Sequence, residues 1–233
     1  MTIPGIASIL ITMKQLLAHL KSIGTPSIYR KGASIYFQGE VPRHAVVMLD
    51  GVVKSYTISP EGDETIITLY GRGSILPIAW VNSQSSTALF NYDAVNDVRV
   101  VKLEKNRLRE AIDTSPVYLR EYLEYMSSSQ AALMLRITGL AQSRAIEKIC
   151  YTLYFLLFHH SIERNDGCYE IDLRLTQGML ASLIGQTRES TAKNLKILKD
   201  AGIVDYSSST YIVNKAKLEA YLGEDSFRNL LAP

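Results

Sequence analysis

Arg188, Glu189 and Lys193 follow one another at steps of one and four, so a helix would place Glu189 and Lys193 on one face, with Arg188 at its start and Lys196 further along. Those residue types read base edges. Near a helix N-terminus an arginine donates two bonds to guanine O6 and N7, a glutamate accepts from cytosine N4, and a lysine one turn on reaches another guanine or a phosphate. Thr176, Thr187 and Ser190 add hydroxyls and complete the candidate contact set. Between Arg174 and Lys199 there are five basic residues against one acidic residue, a local +4 in a chain whose formal charge is only +2. Any nucleic-acid reading must therefore be local. A solvated basic helix in an unrelated α domain would show the same charges.

Two short helices and a tight turn would hold these side chains. Thr176 caps the first, Gln177 to Ile184; Gly185 supplies a left-handed turn; Thr187 caps the second, Arg188 to Ala201, whose Leu195 and Leu198 face inward. This is a helix-turn-helix pattern. Ile203 to Val213, with Ser207, Ser208 and Ser209 between β-rich arms, predicts a hairpin wing directly after it.

Upstream, Leu119, Leu123, Met126, Gln130, Leu133, Ile137 and Leu140 advance by alternating fours and threes, a heptad seam that predicts a long helix paired in a homodimer. Gln130 is the polar member: it fixes register or is satisfied by a ligand between the two chains. An ordinary amphipathic helix remains the other reading, because Tyr122, Tyr125, Met134 and Ile146 widen the apolar face. Thr114-Ser115-Pro116 marks its start, and the helical pattern resumes from Ala145 through His160.

From Ser34 to Leu103 the sequence alternates short β segments with turn signals. The segments are Ser34 to Phe37, Ala45 to Leu49, Val52 to Ile58, Thr65 to Tyr70 and Val98 to Leu103, a spacing that suggests a barrel or roll. Before it, Ile6, Ile9, Leu10, Met13, Leu17 and Leu20 fit an amphipathic helix better than a signal peptide. With 233 residues, 47% apolar and 21% charged, the composition excludes disorder as the main state, and two compact units are expected. No charge-free stretch is apolar enough to span a bilayer, so no membrane partner is expected and the location expected is cytoplasmic. Cys150 and Cys168 lack the spacing of a metal set and are expected to be buried thiols, with no metal site. P-loop, H-E-x-x-H, G-x-S-x-G and dinucleotide fingerprints are all missing, which argues against an enzyme.

The order of roll, heptad helix and winged helix-turn-helix resembles the CRP/FNR family of bacterial transcription regulators over nearly the whole chain. In the roll the likeness is carried by Tyr29-Arg30-Lys31-Gly32, Phe37-Gln38-Gly39-Glu40, Leu49-Asp50-Gly51-Val52-Val53-Lys54, Glu61-Gly62 and Gly71-x-Gly73. The more specific part is Thr187-Arg188-Glu189-Ser190-Thr191-Ala192-Lys193 with Leu198-Lys199-Asp200-Ala201-Gly202-Ile203-Val204. The resemblance implies an α+β chain. Residues 1–115 would form an N-terminal cyclic-nucleotide-binding-like β-roll (a double-stranded β-helix or jelly roll) with its N-terminal helix, 116–143 a dimerisation helix, and 144–233 the winged helix-turn-helix. It also implies base contacts for Arg188, Glu189 and Lys193, a palindromic double-stranded DNA operator with half-sites about 34 Å apart on bent DNA, and RNA polymerase as a partner. Lys193 stands where the family usually has arginine, and an ammonium lacks the planar fork.

The effector side departs from the family pattern. Cyclic-nucleotide members carry a Gly-Glu pair and then an Arg-Ser or Arg-Thr that grips the cyclic phosphate; here the segments read Ser74-Ile75-Leu76-Pro77-Ile78 and Thr87-Ala88-Leu89, with no arginine between Arg72 and Arg99. A buried phosphate without a charge-assisted donor loses much of its binding energy, which argues against cyclic AMP. An iron-sulfur cluster is disfavoured too, since the N-terminal half has no cysteine. His19 and His44 leave haem ligation open. No cofactor is expected, and the candidate effector pocket is neutral, formed by Leu76, Trp80, Thr87, Leu89 and Phe90. By likeness, Ser129 and Gln130 would touch an effector across the dimer. Two alternatives stay open: a roll filled by its own side chains and active without ligand, and a regulatory module acting through protein contacts alone.

Overall fold

A computed structural model describes residues 13–171, 173–207 and 209–223. Ile6, Ile9 and Leu10 of the expected N-terminal helix, and Ser208 of the wing, lie outside them. The chain divides into two compact units, one ending at Ser128 and the other beginning at Ser129.

The first unit begins with α1 (Lys14–Ile23), whose Leu16 and Leu20 are fully buried. Eight strands follow: β1 (Thr25–Tyr29), β2 (Ser34–Tyr36), β3 (Ala45–Asp50), β4 (Val53–Ile58), β5 (Glu64–Tyr70), β6 (Ile75–Leu76), β7 (Asn91–Ala94) and β8 (Val98–Leu103), with the one-turn helix α2 (Ile78–Val81) between β6 and β7. They form two sheets, ordered β1-β8-β3-β6 and β2-β7-β4-β5, with antiparallel pairing throughout. The roll predicted from spacing is thus present.

Three strands of the roll escape the sequence reading, each for a physical reason. Pro26 in β1 has no N–H to donate, β6 is two residues long, and β7 carries Asn91 and Asp93 where an apolar run was sought. In β7, Tyr92 and Ala94 are buried while Asn91 and Asp93 are half-exposed, the period-two pattern of a strand with one face on the core.

Two apolar clusters lie in this unit. One joins Ile35, Tyr36, Met48, Leu76 and Tyr92 inside the roll. The other packs α1, α3 (Lys105–Asp113) and the start of α4 (Pro116–Leu140) on the outer face of the first sheet, around Leu16, Leu20, Val101, Leu108 and Tyr122. Glu121 of α4 accepts from the N–H groups of Gln15 and Leu16 at 3.1 and 2.7 Å, satisfying donors that open α1.

The second unit takes the remainder of α4, then α5 (Ala145–His159), β9 (Ser161–Glu163), β10 (Cys168–Ile171), α6 (Gln177–Ile184), α7 (Arg188–Asp200), β11 (Val204–Ser207), β12 (Thr210–Asn214) and α8 (Lys215–Leu222). Its sheet runs β11-β12-β10-β9, so the wing hairpin is the outer half of a four-stranded sheet. The division inside α4 departs from the expected separate helix at 116–143. Tyr118, Tyr122, Tyr125 and Met126 pack on the roll's outer cluster, whereas Leu135 and Arg136, ten or so residues on, are buried within the second unit. Of the two cysteines, Cys150 is buried, which pushes its thiol up to about 12, but Cys168 on the short strand β10 is only half-buried.

Candidate nucleic-acid interface

Each recognition element begins at a threonine. Thr176 Oγ1 accepts from Met179 N at 3.1 Å to open α6, and Thr187 Oγ1 accepts from Ser190 N at 3.1 Å to open α7. Between them Gly185 takes φ 61°, a left-handed conformation with no steric cost for glycine, and its N–H caps Ala181 O. Thr191 Oγ1 donates to Thr187 O at 2.9 Å, which adds a second bond to Thr187 across the first turn of α7.

Thr191, Leu195 and Leu198 are buried and fix the inner face of α7. On a 3.6-residue period the opposite face then carries Glu189, Lys193 and Lys196, and all three are exposed; Arg188, also exposed, stands at the first position. Thr176 and Thr187 are exposed and Ser190 is half-buried. Among the described residues, Arg188, Lys193 and Lys196 enter no ion pair. Their positive charge is opposed on that face only by the Glu189 carboxylate, and the face is long enough to enter a major groove.

Lys199 behaves differently. Its ammonium pairs with Asp205 of β11 at 2.7 Å and lies 5.0 Å from the Tyr206 ring centroid, so it ties the helix to the wing, and Asp205 offsets part of the local +4. Tyr206 stacks on Tyr211 across the hairpin at 5.7 Å. Asp205 and this aromatic pair were not identified as site residues from the sequence. The signal lay in Asp205-Tyr206 against Tyr211, cross-strand neighbours once the register is known.

Two further residues position the interface. Arg136 is 6% exposed and donates to Leu183 O at 2.9 Å, a carbonyl in the last turn of α6, where helix acceptors lack intrahelical donors. Burial pulls its guanidinium down to about 10. Gly139 lets α5 approach, since a Cβ there would stand 2.6 Å from Tyr151 Cβ. Neither was singled out by the heptad reading, which followed only the apolar stripe.

Along that stripe Leu119, Leu123, Leu133, Ile137 and Leu140 are exposed, with Leu123 at 57% and Ile137 at 65%. Met126 is half-buried against the roll's outer cluster and Gln130 is exposed. The candidate effector residues are dispersed. Leu76 faces the roll interior, yet Trp80 belongs to the outer cluster, because the adjacent Ile75 and Leu76 point to opposite faces of their strand and the chain leaves on the outer side. Phe90 borders the interior, Thr87 is half-buried in a local turn with Ser85, and Leu89 is 47% exposed. Ser129 is half-buried and opens the second unit's share of α4.

Inside the roll, Tyr36, Tyr70 and Tyr92 meet at ring separations of 5.8 and 5.9 Å, and burial raises all three phenols, Tyr92 to about 12. They are neutral at physiological pH. Tyr125 of α4 accepts from Ile75 N at 3.2 Å, and Tyr122 donates to Asn82 at 2.7 Å. The segment from β6 through Asn82, just past α2, is thus bonded to the helix at both ends by protein groups. Of the histidines raised for haem, His19 stacks on Tyr118 at 5.1 Å and His44 sits exposed in the loop before β3.

Comparison with known proteins bears on both units. The family model for the cyclic nucleotide-binding domain matches residues 27–115, and that for the Crp-like helix-turn-helix domain matches residues 147–221. The chain is 23% identical over 184 residues to Electron transport regulator A of Shewanella oneidensis, covering 79% of this chain and 72% of that protein. It is 22% identical over 177 residues to the Global nitrogen regulator of Synechococcus elongatus, covering 76% and 79%. Its fold is similar to that of FixK2 from Bradyrhizobium japonicum, with TM-score 0.71 at 19% identity over 85% of this chain and 96% of the other. A cyclic nucleotide-binding domain containing protein from Listeria monocytogenes gives TM-score 0.75 at 16% identity over 88% and 99%. With both matches falling in the order that the fold displays, the chain belongs to the CRP/FNR family and is a DNA-binding transcription regulator of that type.

Proposed function

We propose that two copies pair through the exposed stripe of α4 and present both α7 helices to successive major grooves of a palindromic operator. The observation that carries this reading is the face of α7: Glu189, Lys193 and Lys196 stand exposed opposite the buried Thr191, Leu195 and Leu198, with Arg188 at the capped N-terminus. In this reading Arg188 and Glu189 contact base edges, Lys193 contacts a guanine or a phosphate, and Thr176, Thr187, Ser190 and Lys196 contact the backbone. Gln130, the polar seam position, sets the register of the pair.

On the roll side, we infer a regulator that does not use cyclic AMP by the family's phosphate contacts. Support comes from a segment without arginine that is bonded to α4 at the Ile75 N–H by Tyr125 and at the Asn82 side chain by Tyr122, and from an interior occupied by Tyr36, Tyr70 and Tyr92. RNA polymerase is the further partner and the cytoplasm the location that this function requires.

Selection of genomic fragments by the purified full chain, with and without cyclic AMP, tests both parts. A recovered palindrome, bound equally in either condition and released as salt rises, is the expected result. Binding indifferent to sequence, or unchanged after Arg188 and Lys193 are both replaced by alanine, would instead favour a module that works through protein contacts.

A further inference from the structure

The first unit holds a cavity of about 380 Å³ between its two sheets at the end closed by the loop before β3, within the size range of small-molecule sites. Its walls come from Tyr29 and Lys102 on the first sheet, Tyr36 on the second, and Glu40, Arg43 and His44 on the loop. None of these belongs to the stretch from Ser74 to Phe90 considered above for an effector. Ile35 and Val46 give it an aliphatic floor, and Val41, 68% exposed, stands at its mouth.

The roll carries both paired and unpaired cations. Away from the cavity Arg30, Lys54 and Arg99 are matched with Asp97, Glu64 and Asp50, while Lys31 and Arg72 enter no ion pair among the described residues. At the cavity, Arg43 and Lys102 enter no ion pair among the described residues, although Glu40 lines the same space. Lys102 instead rests its ammonium 4.8 Å from the Tyr29 ring centroid, which orients it without neutralising it. The Tyr36 hydroxyl donates to His44 O at 2.6 Å and fixes the loop that carries Arg43. A second tie comes from Ala88, which donates to Glu40 O at 2.9 Å and accepts from Gly39 N at 2.8 Å.

We propose that this cavity binds a small organic monoanion, a carboxylate with a flat or branched apolar body. Its carboxylate lies between Arg43 and Lys102, and its apolar body lies on the Tyr29 ring and the Ile35–Val46 floor. Glu40 disfavours dianions and phosphate esters by repulsion, which is why a monoanion fits the charge balance. The site is independent of the DNA-binding reading and stands or falls without it.

Benzoate is a suitable probe, titrated calorimetrically into the full-length protein, with benzamide as its neutral isostere. Saturable benzoate binding is expected, with benzamide markedly weaker. Arg43→Gln and Lys102→Met should each weaken benzoate by up to about fivefold, as expected for partly exposed ion pairs, and Glu40→Gln should tighten it. Methyl resonances of Ile35, Val41 and Val46 should shift with occupancy. Absence of saturable benzoate binding, equal affinity for benzamide, or affinities indifferent to all three substitutions would overturn the proposal. Arg43 is exposed and Lys102 half-buried, and unchanged melting of each variant would show that loss of binding is not loss of fold.

Discussion

At the scale of single residues, Glu189 and Lys193 share one face of α7 but should fail differently. A carboxylate repels phosphate and its favourable role is to accept from a base amino group, so Glu189→Ala should relax preference at one base-pair position by about 1–3 kcal/mol while leaving other positions intact. Lys193→Ala should weaken all sequences together and lower the salt slope by about 1 if its partner is a phosphate. Lys193→Arg separates the two roles: a gain in preference for guanine at one position points to a base edge, and a uniform change points to the backbone. Competition binding against a single-substitution operator library reads all three variants. Thr187 acts through geometry, since its side chain accepts from Ser190 N and its carbonyl from Thr191 Oγ1. Thr187→Ala should cost about 1 kcal/mol of stability in the second unit, measured by denaturant unfolding.

At the scale of elements, α4 shows what periodicity can and cannot convey. Its length, the threonine caps, Gly185 and the wing were legible because each rests on local chemistry that a short window contains. The heptad positions were also legible, and most are exposed. Met126 departs because tyrosines on the neighbouring stripe already face the roll and widen the contact. Arg136 and Gly139 were not legible, since their roles depend on α6 and α5, which approach only after folding. The candidate effector set was dispersed for a similar reason: the two residues of β6 face opposite ways, which a linear stretch does not reveal. Gly139 gives a sign reversal to check. In an exposed helix interior Gly→Ala stabilises by about 1 kcal/mol, but a Cβ here would stand 2.6 Å from Tyr151 Cβ, and core overpacking costs about 1–3 kcal/mol. Gly139→Ala should therefore destabilise the second unit, and a raised melting temperature would contradict the close α4–α5 approach.

At the scale of the whole molecule, the proposed pairing through α4 makes the seam and the recognition helix one thermodynamic system. A single helix-turn-helix contacts one half-site, and its affinity is set by a few base edges and phosphates. Joined to a second copy, the other half-site is met at an effective concentration rather than from bulk solution, a gain of about 10²–10⁴ in apparent affinity without any new contact. Ile137, 65% exposed on the second unit's share of α4, allows that gain to be removed without touching α7. In the proposed pair Ile137→Glu places two like charges across the seam, so sedimentation should show a dimer for the parent protein and monomers for the variant. Operator affinity should fall by a similar factor of about 10²–10⁴, while affinity for an isolated half-site is retained. Retained half-site binding distinguishes loss of pairing from damage to the reading head. If the variant were monomeric yet bound the palindrome undiminished, α4 would not be the element that pairs the two helices on DNA, and the exposed stripe would need a different occupant.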